Sequence, residues 1–516
     1  MQTFGEMIID NAERYPDKTA FIFENTAYTF KQVNERVNSL INALAHLGVG
    51  KGDRVGILAH NCPQYFEVFG LAKAGRVCVP LNYRSVGREL AYLINDSEIN
   101  TLILEGEFAD VVNSIRHELA GVRNFICLDA ALENMLSYEQ LISGFPPDEP
   151  TDDVEADDHC VLFYTSGTTG RPKGAIHTNK SLVAEIQVRH DDFCSNDIAL
   201  CVMPFFHVGG SAANLFPAFA RGATIVIHGT FDETLVLAAI EKEKVTYVGL
   251  VPAMIIRLLE HPNLSQHNLS SLRTIMYVGA PMPLEALKRG IGHFGEIFTQ
   301  LFGQTETLNL AVLEKEEHKL EGPPEKIKRL ESAGKPLGEG EIRIVDEQDH
   351  DVPLGEAGEI IARSHRMMKG YWRLPEETAK TIKDGWLHTG DIGRMGEDGY
   401  VYLVDRKKDM IISGGENIYS REVEEVLYMH PAVLEAAVVG VPDKNWGESV
   451  KALVVLKEGA AASEEEIIEF CKEHLASYKK PRSVEFRDSL PKTASGKIKK
   501  NVIRERYWEG YERRIH

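Results

Sequence analysis

The chain has 516 residues, a formal net charge of −20 at pH 7, 43% hydrophobic and 26% charged residues. That is the make-up of a globular chain of several domain-sized units with ample apolar material for its cores, and the negative charge excludes nucleic acid as a general partner. The seven scattered cysteines form no C-x-x-C pair, the N-terminus has no signal-like leader and no apolar run reaches spanning length, which predicts reduced thiols in a cytoplasmic protein and excludes a zinc-thiolate site and a membrane span.

The first third alternates in period. Asp53–Ala59 reads as a strand, Pro63–Ala74 as a helix, Val77–Pro80 as a strand, Gly87–Asn95 as a helix and Thr101–Leu104 as a strand. This is the rhythm of a parallel sheet covered by helices. Cys160–Phe163 is a further apolar run with strand character, and it leads directly into Tyr164-Thr165-Ser166-Gly167-Thr168-Thr169-Gly170-Arg171-Pro172-Lys173-Gly174. Hydroxyls, glycines and two cations after a strand suit a polyphosphate: glycines let the backbone approach, N–H and O–H groups donate, and Lys and Arg balance charge. It is not a Walker A loop, because Pro172 stands where the second glycine is required, and it contains no G-x-G-x-x-G.

The α/β rhythm then resumes. Asn179 or Thr178 can cap a helix to about Arg189, Ala223–Ile227 is a strand, and Asp232 can cap the helix Glu233–Glu243. Val245–Gly249 is the next strand, Pro252 opens a helix to Glu260, and Arg273–Val278 and Glu296–Leu301 are further strands. The expected fold class is α/β, with two doubly wound subdomains in tandem. From Gly340 to Leu403 short strands and turns predict a small β-barrel-like subdomain. The charged run Asp405-Arg406-Lys407-Lys408-Asp409 marks a boundary, giving a large N-terminal domain over 1–405 and a small α+β domain over 406–516. The residues from Ala476 onward carry +7 and the rest of the chain −27, a distribution suited to an anionic ligand shared between the two.

In open α/β sheets ligands bind beyond the carboxyl ends of strands. Three loops have that position: 164–174, Gly279-Ala280-Pro281 and Gly303-Gln304-Thr305-Glu306. Placed in one sheet, they would form one nucleotide site. Glu306, the sole carboxylate among them, points to a hard cation such as Mg²⁺ bridging carboxylate and phosphate.

The sequence resembles the adenylate-forming superfamily, in its acyl-CoA synthetase branch. The resemblance rests on YTSGTTGRPKG at 164–174, PFFHVGG at 204–210, VGAP at 278–281, FGQTE at 302–306, GEIIARS at 358–364, GWLHTGD at 385–391, DRKKDMIISGGENIYSREVEEVL at 405–427 and PKTASGK at 491–497, in order along nearly the whole chain. It implies a two-step ligase: a carboxylate attacks the α-phosphate of ATP to give acyl-AMP and pyrophosphate, then the thiol of coenzyme A takes the acyl group and releases AMP. A carrier-protein thiol or another acceptor is the alternative.

The resemblance also implies roles. Thr165, Ser166, Gly167, Thr168, Thr169, Gly170, Arg171, Pro172 and Lys173 would hold the β- and γ-phosphates, with Thr168 and Glu306 on Mg²⁺. Thr305 would reach the α-phosphate, Phe302 would stack on adenine, and Gly279, Ala280, Pro281, Gly303 and Gln304 would line the nucleotide. Asp391 would take the ribose hydroxyls and Arg406 ribose or phosphate. Lys497 would be the catalytic cation of the first step, and His207, with Gly209 and Ser211, would border the acyl group. Lys408 would be the hinge of a mobile C-terminal domain whose rotation brings Ser413, Gly414, Gly415 and Glu416 to the coenzyme A tunnel. A homodimer is compatible with this reading. The small residues after His207 leave medium-chain, aromatic, alicyclic and long-chain acids open.

Overall fold

The computed structural model describes residues 2–129, 132–165, 171–189, 192–414, 416–493 and 496–509. Four sheets organise them. The first has nine strands in the order 335–336, 308–313, 298–304, 274–278, 247–250, 198–201, 224–227, 19–23 and 26–29; its centre is parallel and its outer pairs antiparallel. The second has eight strands in the order 370–371, 173–178, 159–165, 77–80, 54–58, 99–104, 124–127 and 136–137. The expected elements of the first 300 residues are present with end shifts of a few residues.

Local chemistry explains the helices that flank the site. Thr178 caps Asn179–Val188 by accepting from the Ser181 N–H (3.2 Å), Asp232 caps Glu233–Glu243 by accepting from the Leu235 N–H (2.9 Å), and Pro252 occupies the first turn of Pro252–Leu259, where no N–H is needed. One apolar cluster joins the two large sheets: Val55 and Ile57 from the second, Ala199 and Ile225 from the first, and Phe66 and Phe219 with ring centres 4.2 Å apart and planes tilted by 33°. Parallel central strands buried on both faces read as continuous apolar runs, which is why they were visible in sequence.

The third sheet, 341–345, 358–363, 386–395 and 382–383 with 401–406 added to 386–395, is antiparallel, and no pairing closes it into a barrel among the described residues. The β-rich expectation therefore holds as an open sheet. The last sheet holds 416–418, 411–413, 447–456 and 433–443, with 483–486 parallel to 447–456. Its own cluster (Ile411, Val423, Leu427, Val438, Val454, Ile467) packs it against the helices Ser420–Met429 and Glu464–His474. No helix among the described residues is long and apolar enough to cross a membrane. Six of the seven cysteines are buried, Cys194 is exposed, and all are free thiols.

Candidate active site

A cleft of ≈ 2340 Å³ lies where the first three sheets and the last residues of the chain meet. The three suspected loops do converge on it, but they do not share a sheet. The 159–165 strand belongs to the eight-stranded sheet and the 274–278 and 298–304 strands to the nine-stranded one. Each subdomain builds its own sheet, and the site forms because the two sets of strand ends face one cleft. Two of the loops are also hairpins rather than turns into helices. The strand 159–165 returns antiparallel as Lys173–Thr178, and Phe298–Gln304 returns as Leu308–Leu313.

Ser166, Gly167, Thr168, Thr169, Gly170 and Gly415 lie outside the described residues. What flanks the first loop is ordered by packing. The Tyr164 hydroxyl donates to Asp96 (2.7 Å), the Tyr92 hydroxyl donates to the Pro172 carbonyl (3.1 Å), and the Arg171 guanidinium lies 5.5 Å from the centre of the Tyr92 ring. The Lys173 ammonium is bonded to Glu377 (2.6 Å) and lies 5.1 Å from the centre of the Tyr371 ring. Hydrogen bonds from Lys173 and Lys380 pull the Glu377 carboxyl down to about 2. Glu377 and Tyr371 carried no sequence signal, because their roles exist only after the 370–381 segment folds against the 173–178 strand.

On the second side, the hairpin 298–313 presents Phe302, Gly303, Gln304, Thr305 and Glu306 to the cleft. Gly303 sits at a register shift where an added Cβ would lie 1.8 Å from the Leu308 carbonyl oxygen, so only glycine fits. The Thr305 carbonyl is bonded by the buried His177 ring (2.7 Å). The Tyr371 hydroxyl donates to Glu306 Oε1 (2.9 Å), and the Glu306 carbonyl accepts from the Met368 N–H (2.7 Å). Phe302 is 8% exposed, edging the cleft from the apolar cluster of Leu310, Ala311 and Ala333.

Asp391 is buried at 7% exposure and held from two sides. Gln304 Nε2 donates to its Oδ2 (2.6 Å), and Arg406 Nε pairs with its Oδ1 (3.1 Å). Asp391 and Arg406 are register partners across the 386–395 and 401–406 strands, so their pairing follows from sheet register. Gln304 therefore positions Asp391, a tertiary role that its motif did not reveal.

Lys497 enters from the C-terminal residues. Its turn is closed by Gly496 N–H to the Thr493 carbonyl (2.9 Å), Lys497 N–H to Thr493 Oγ1 (3.0 Å) and Thr493 N–H to the Lys497 carbonyl (2.6 Å). The side chain crosses the cleft so closely that a Cβ on Gly279, whose φ is +95°, would lie 3.4 Å from Lys497 Cε. Burial and the nearby Arg406 lower the Lys497 ammonium to about 8, against the attraction of Asp391 and Glu306. At neutral pH it is predominantly cationic.

His207 borders the same cleft. Burial, with Lys497 and Arg84 nearby, lowers its imidazole to about 3, so it is neutral, and its buried Nε2 has no partner among the described residues. Gly209 lines the cleft, with Gly210, Ala212 and Ala213 beyond it. Ser211 does not: it is fully buried and its hydroxyl donates to the His207 carbonyl (2.9 Å), which corrects its expected place against the acyl group. It shapes the irregular turn that holds His207. Ser413, Gly414 and Glu416 are also away from the cleft, in the 411–418 hairpin under Trp446.

The model for "AMP-binding enzyme" matches residues 8–372, and that for "AMP-binding enzyme C-terminal domain" matches residues 422–497. The chain belongs to the AMP-binding family. Within this adenylate-forming superfamily it falls in the acyl-CoA ligase branch. It is 40% identical to a feruloyl-CoA synthase of an Amycolatopsis species over 514 residues, which is 98% of this chain and 99% of that one. The fold matches the anthranilate CoA ligase AuaEII, solved with anthranoyl-AMP, at a TM-score of 0.91 with 30% identity over 98% of this chain and 97% of that one. It matches ATP-bound MatB from Rhodopseudomonas palustris at 0.89 and apo MatB at 0.78, both at 27% identity, with coverage of 98% and 99% of this chain and all of each MatB chain. This AMP-binding enzyme is an ATP-dependent acid–thiol ligase that works through an acyl adenylate.

Proposed function

We propose that the cleft activates an aromatic carboxylic acid of hydroxycinnamate size and transfers it to coenzyme A, with the C-terminal residues 406–516 moving as a unit about Lys408 between the two steps. The observation that carries the first step is the placement of the Lys497 ammonium across Gly279, between His207 on the acyl side and Asp391, Arg406 and Glu306 on the nucleotide side.

The derivation begins with charge. ATP and a carboxylate repel each other, and the free carboxylate is a poor electrophile. A cation placed between the acid and the α-phosphate offsets this repulsion most strongly as the two oxygens close, so it stabilises the transition state more than the ground state. In this reading Lys497 takes that position, supported by its Cε lying beside Gly279. Asp391 takes the ribose hydroxyls, and Phe302 gives an apolar face to adenine. Thr305 reaches the α-phosphate, and Lys173 exchanges its partner Glu377 for the departing pyrophosphate. The neutral His207, with its unpartnered Nε2, hydrogen-bonds the acid. The Glu306 carboxylate retains acceptor capacity beside its bond from Tyr371, which fits one ligand position of Mg²⁺. Bound there, the ion would neutralise phosphate charge.

The acid is read from the wall. Met203, Phe206, Val208, Val251, Val278 and Leu301 give the cleft an apolar wall that includes the small residues Gly209, Gly210, Ala212 and Ala213. Such a wall accepts a flat ring and its short side arm, in keeping with the substrates named for the feruloyl and anthranilate relatives. The test is an acid panel with ATP, Mg²⁺ and coenzyme A: ferulate, anthranilate, cyclohexanecarboxylate, octanoate and palmitate. Ferulate or anthranilate should give the highest kcat/KM for thioester formation. A maximum at palmitate would overturn the acid class, and AMP release without thioester would overturn coenzyme A as acceptor.

A further inference from the structure

Lys497 lies on a turn that ends where the helix Lys500–Trp508 begins. The first residue of that helix is tied by its side chain to the middle of the fold. The Lys500 ammonium pairs with Glu424 Oε1 (2.7 Å) and donates to Ser420 Oγ (2.7 Å). Glu424 is itself fixed, accepting from the Val438 N–H of the last sheet (2.7 Å). Ser420, the first residue of Ser420–Met429, passes the contact on: its Oγ donates to Asp405 Oδ1 (3.1 Å) and its backbone N–H donates to Asp405 Oδ2. A hydroxyl has one proton to give and lone pairs to receive, so accepting from Lys500 while donating to Asp405 satisfies it on both sides. Asp405 stands next to Arg406, the partner of Asp391, on a strand of the third sheet.

A second tether runs parallel. Arg504, one turn along the same helix face, donates to the Lys408 carbonyl (2.8 Å) and pairs with Asp409 (3.4 Å). Arg421, beside Ser420, donates to the Leu403 carbonyl (2.9 Å). The path from the ribose carboxylate to the catalytic cation thus runs by side chains from Asp391 to Arg406, through the backbone to Asp405, then by side chains to Ser420 and Lys500, with three residues of chain from Lys500 to Lys497.

We propose that Lys500 is a positioning residue for adenylation: held by Ser420 and Glu424 and registered through Asp405 on the nucleotide-binding strands, it sets where the Lys497 ammonium stands in the cleft. The Asp405–Ser420 bond joins strand 401–406 of the third sheet to a helix of the C-terminal unit, and the clasp is present in the arrangement that places Lys497 over Gly279. Its loss removes order from the first step and leaves the second untouched. This inference rests on the reading of Lys497 as the adenylation cation.

Half-reactions of the full-length enzyme test it, using the acid of the panel above that is turned over fastest. Acid-dependent ATP–pyrophosphate exchange reports adenylation, and thioester formation from supplied acyl-AMP reports the second step. Lys500→Met should lower exchange about tenfold or more, since misplacing a catalytic group by about 1 Å can cost up to a hundredfold, while thioester formation stays within about twofold. Lys500→Arg, which keeps the cation, should restore exchange. Ser420→Ala serves if Lys500→Met fails to fold, and it should show the same split. Equal loss in both steps, no loss in exchange, or no rescue by arginine overturns the positioning role. Lys497→Ala is the control: if it retains exchange, the reading of Lys497 fails, whereas loss in Lys497→Ala with full exchange in Lys500→Met overturns the clasp alone.

Discussion

Lys497 and Gly414 are carried by loops of the same C-terminal unit, yet they stand in opposite situations. The 491–499 loop leaves its own sheet, crosses to the first sheet and lays Lys497 against Gly279, with a Cβ built on Gly496 coming 3.5 Å from Val251 and 3.8 Å from Ala253. The 411–418 hairpin is satisfied at home. Its Gly414 N–H donates to the Trp446 carbonyl (2.8 Å), the Trp446 ring covers Gly414, and the Arg482 guanidinium lies 4.5 Å from the centre of that ring. One loop is complete only in contact with the nucleotide cleft, and the other needs nothing from it. If the unit turns as proposed, its own apolar cluster would let it exchange which loop it offers without unfolding, at the cost of the few polar bonds that hold the present arrangement.

The strongest way to break this comparison is Lys497→Ala. Acyl-AMP formation should fall about 10²–10³-fold, the usual loss for one preorganised electrostatic donor, while thioester formation from supplied acyl-AMP should persist. Pyrophosphate exchange and single-turnover thioester assays separate the two, and equal losses would mean that both loops serve one step. Next is Asp391→Ala, which removes the carboxylate that Gln304 and Arg406 hold. Losing hydrogen bonds from a charged acceptor is worth about 1.5–3 kcal/mol, or roughly 10–100-fold, and the loss should appear in kcat/KM for ATP. An unchanged value would remove the ribose role.

Lys408→Pro tests whether the unit turns. A proline fixes φ and stiffens the segment, so overall turnover should fall about tenfold more than pyrophosphate exchange if reorientation gates the second step. If exchange falls equally, the pivot lies elsewhere.

The pH dependence sharpens the Lys497 side. In the proposed role the ammonium is the active form, and its pKa is lowered to about 8, so kcat/KM for ATP should be sustained at neutral pH and lost as pH rises through that value. Removing a lowering neighbour with Arg406→Leu should move this basic limb upward in a pH–rate profile. The smallest effect belongs to the other loop. Gly414 has φ +62°, and an added Cβ would lie 2.6 Å from Trp446. Gly414→Ala should cost about 1–2 kcal/mol locally, slow thioester formation and leave pyrophosphate exchange unchanged. A loss of exchange would show that the 411–418 hairpin also supports adenylation.

Much of the fold was legible because local signals suffice for it. Thr178 and Asp232 announce helix starts, Pro252 sits where a first turn tolerates it, and buried parallel strands read as apolar runs. The site was legible as motifs, and Glu306, Asp391 and Lys497 do meet in one cleft. The placement of the loops in a single sheet was not right. Strand order depends on long-range pairing, and nothing within 159–165 says which sheet will accept it. Ser211 was expected at the acyl group from the resemblance, but the turn there aims its hydroxyl back at the His207 carbonyl.

By itself the sequence supplied the candidates for the chemistry: a hydroxyl- and glycine-rich loop suited to phosphate, the carboxylates Glu306 and Asp391, and Lys497 on a glycine-flanked turn. These are properties of side chains and short backbone segments, which neighbours in the chain control. Only the tertiary structure decided that Gln304 holds Asp391, that Glu377 occupies Lys173, that His207 is neutral and that Lys500 is clasped to Asp405 through Ser420. Each is a contact or a degree of burial between residues distant in the chain. Its energy depends on separation and on exclusion of water, and neither exists until the sheets and the C-terminal unit have packed together.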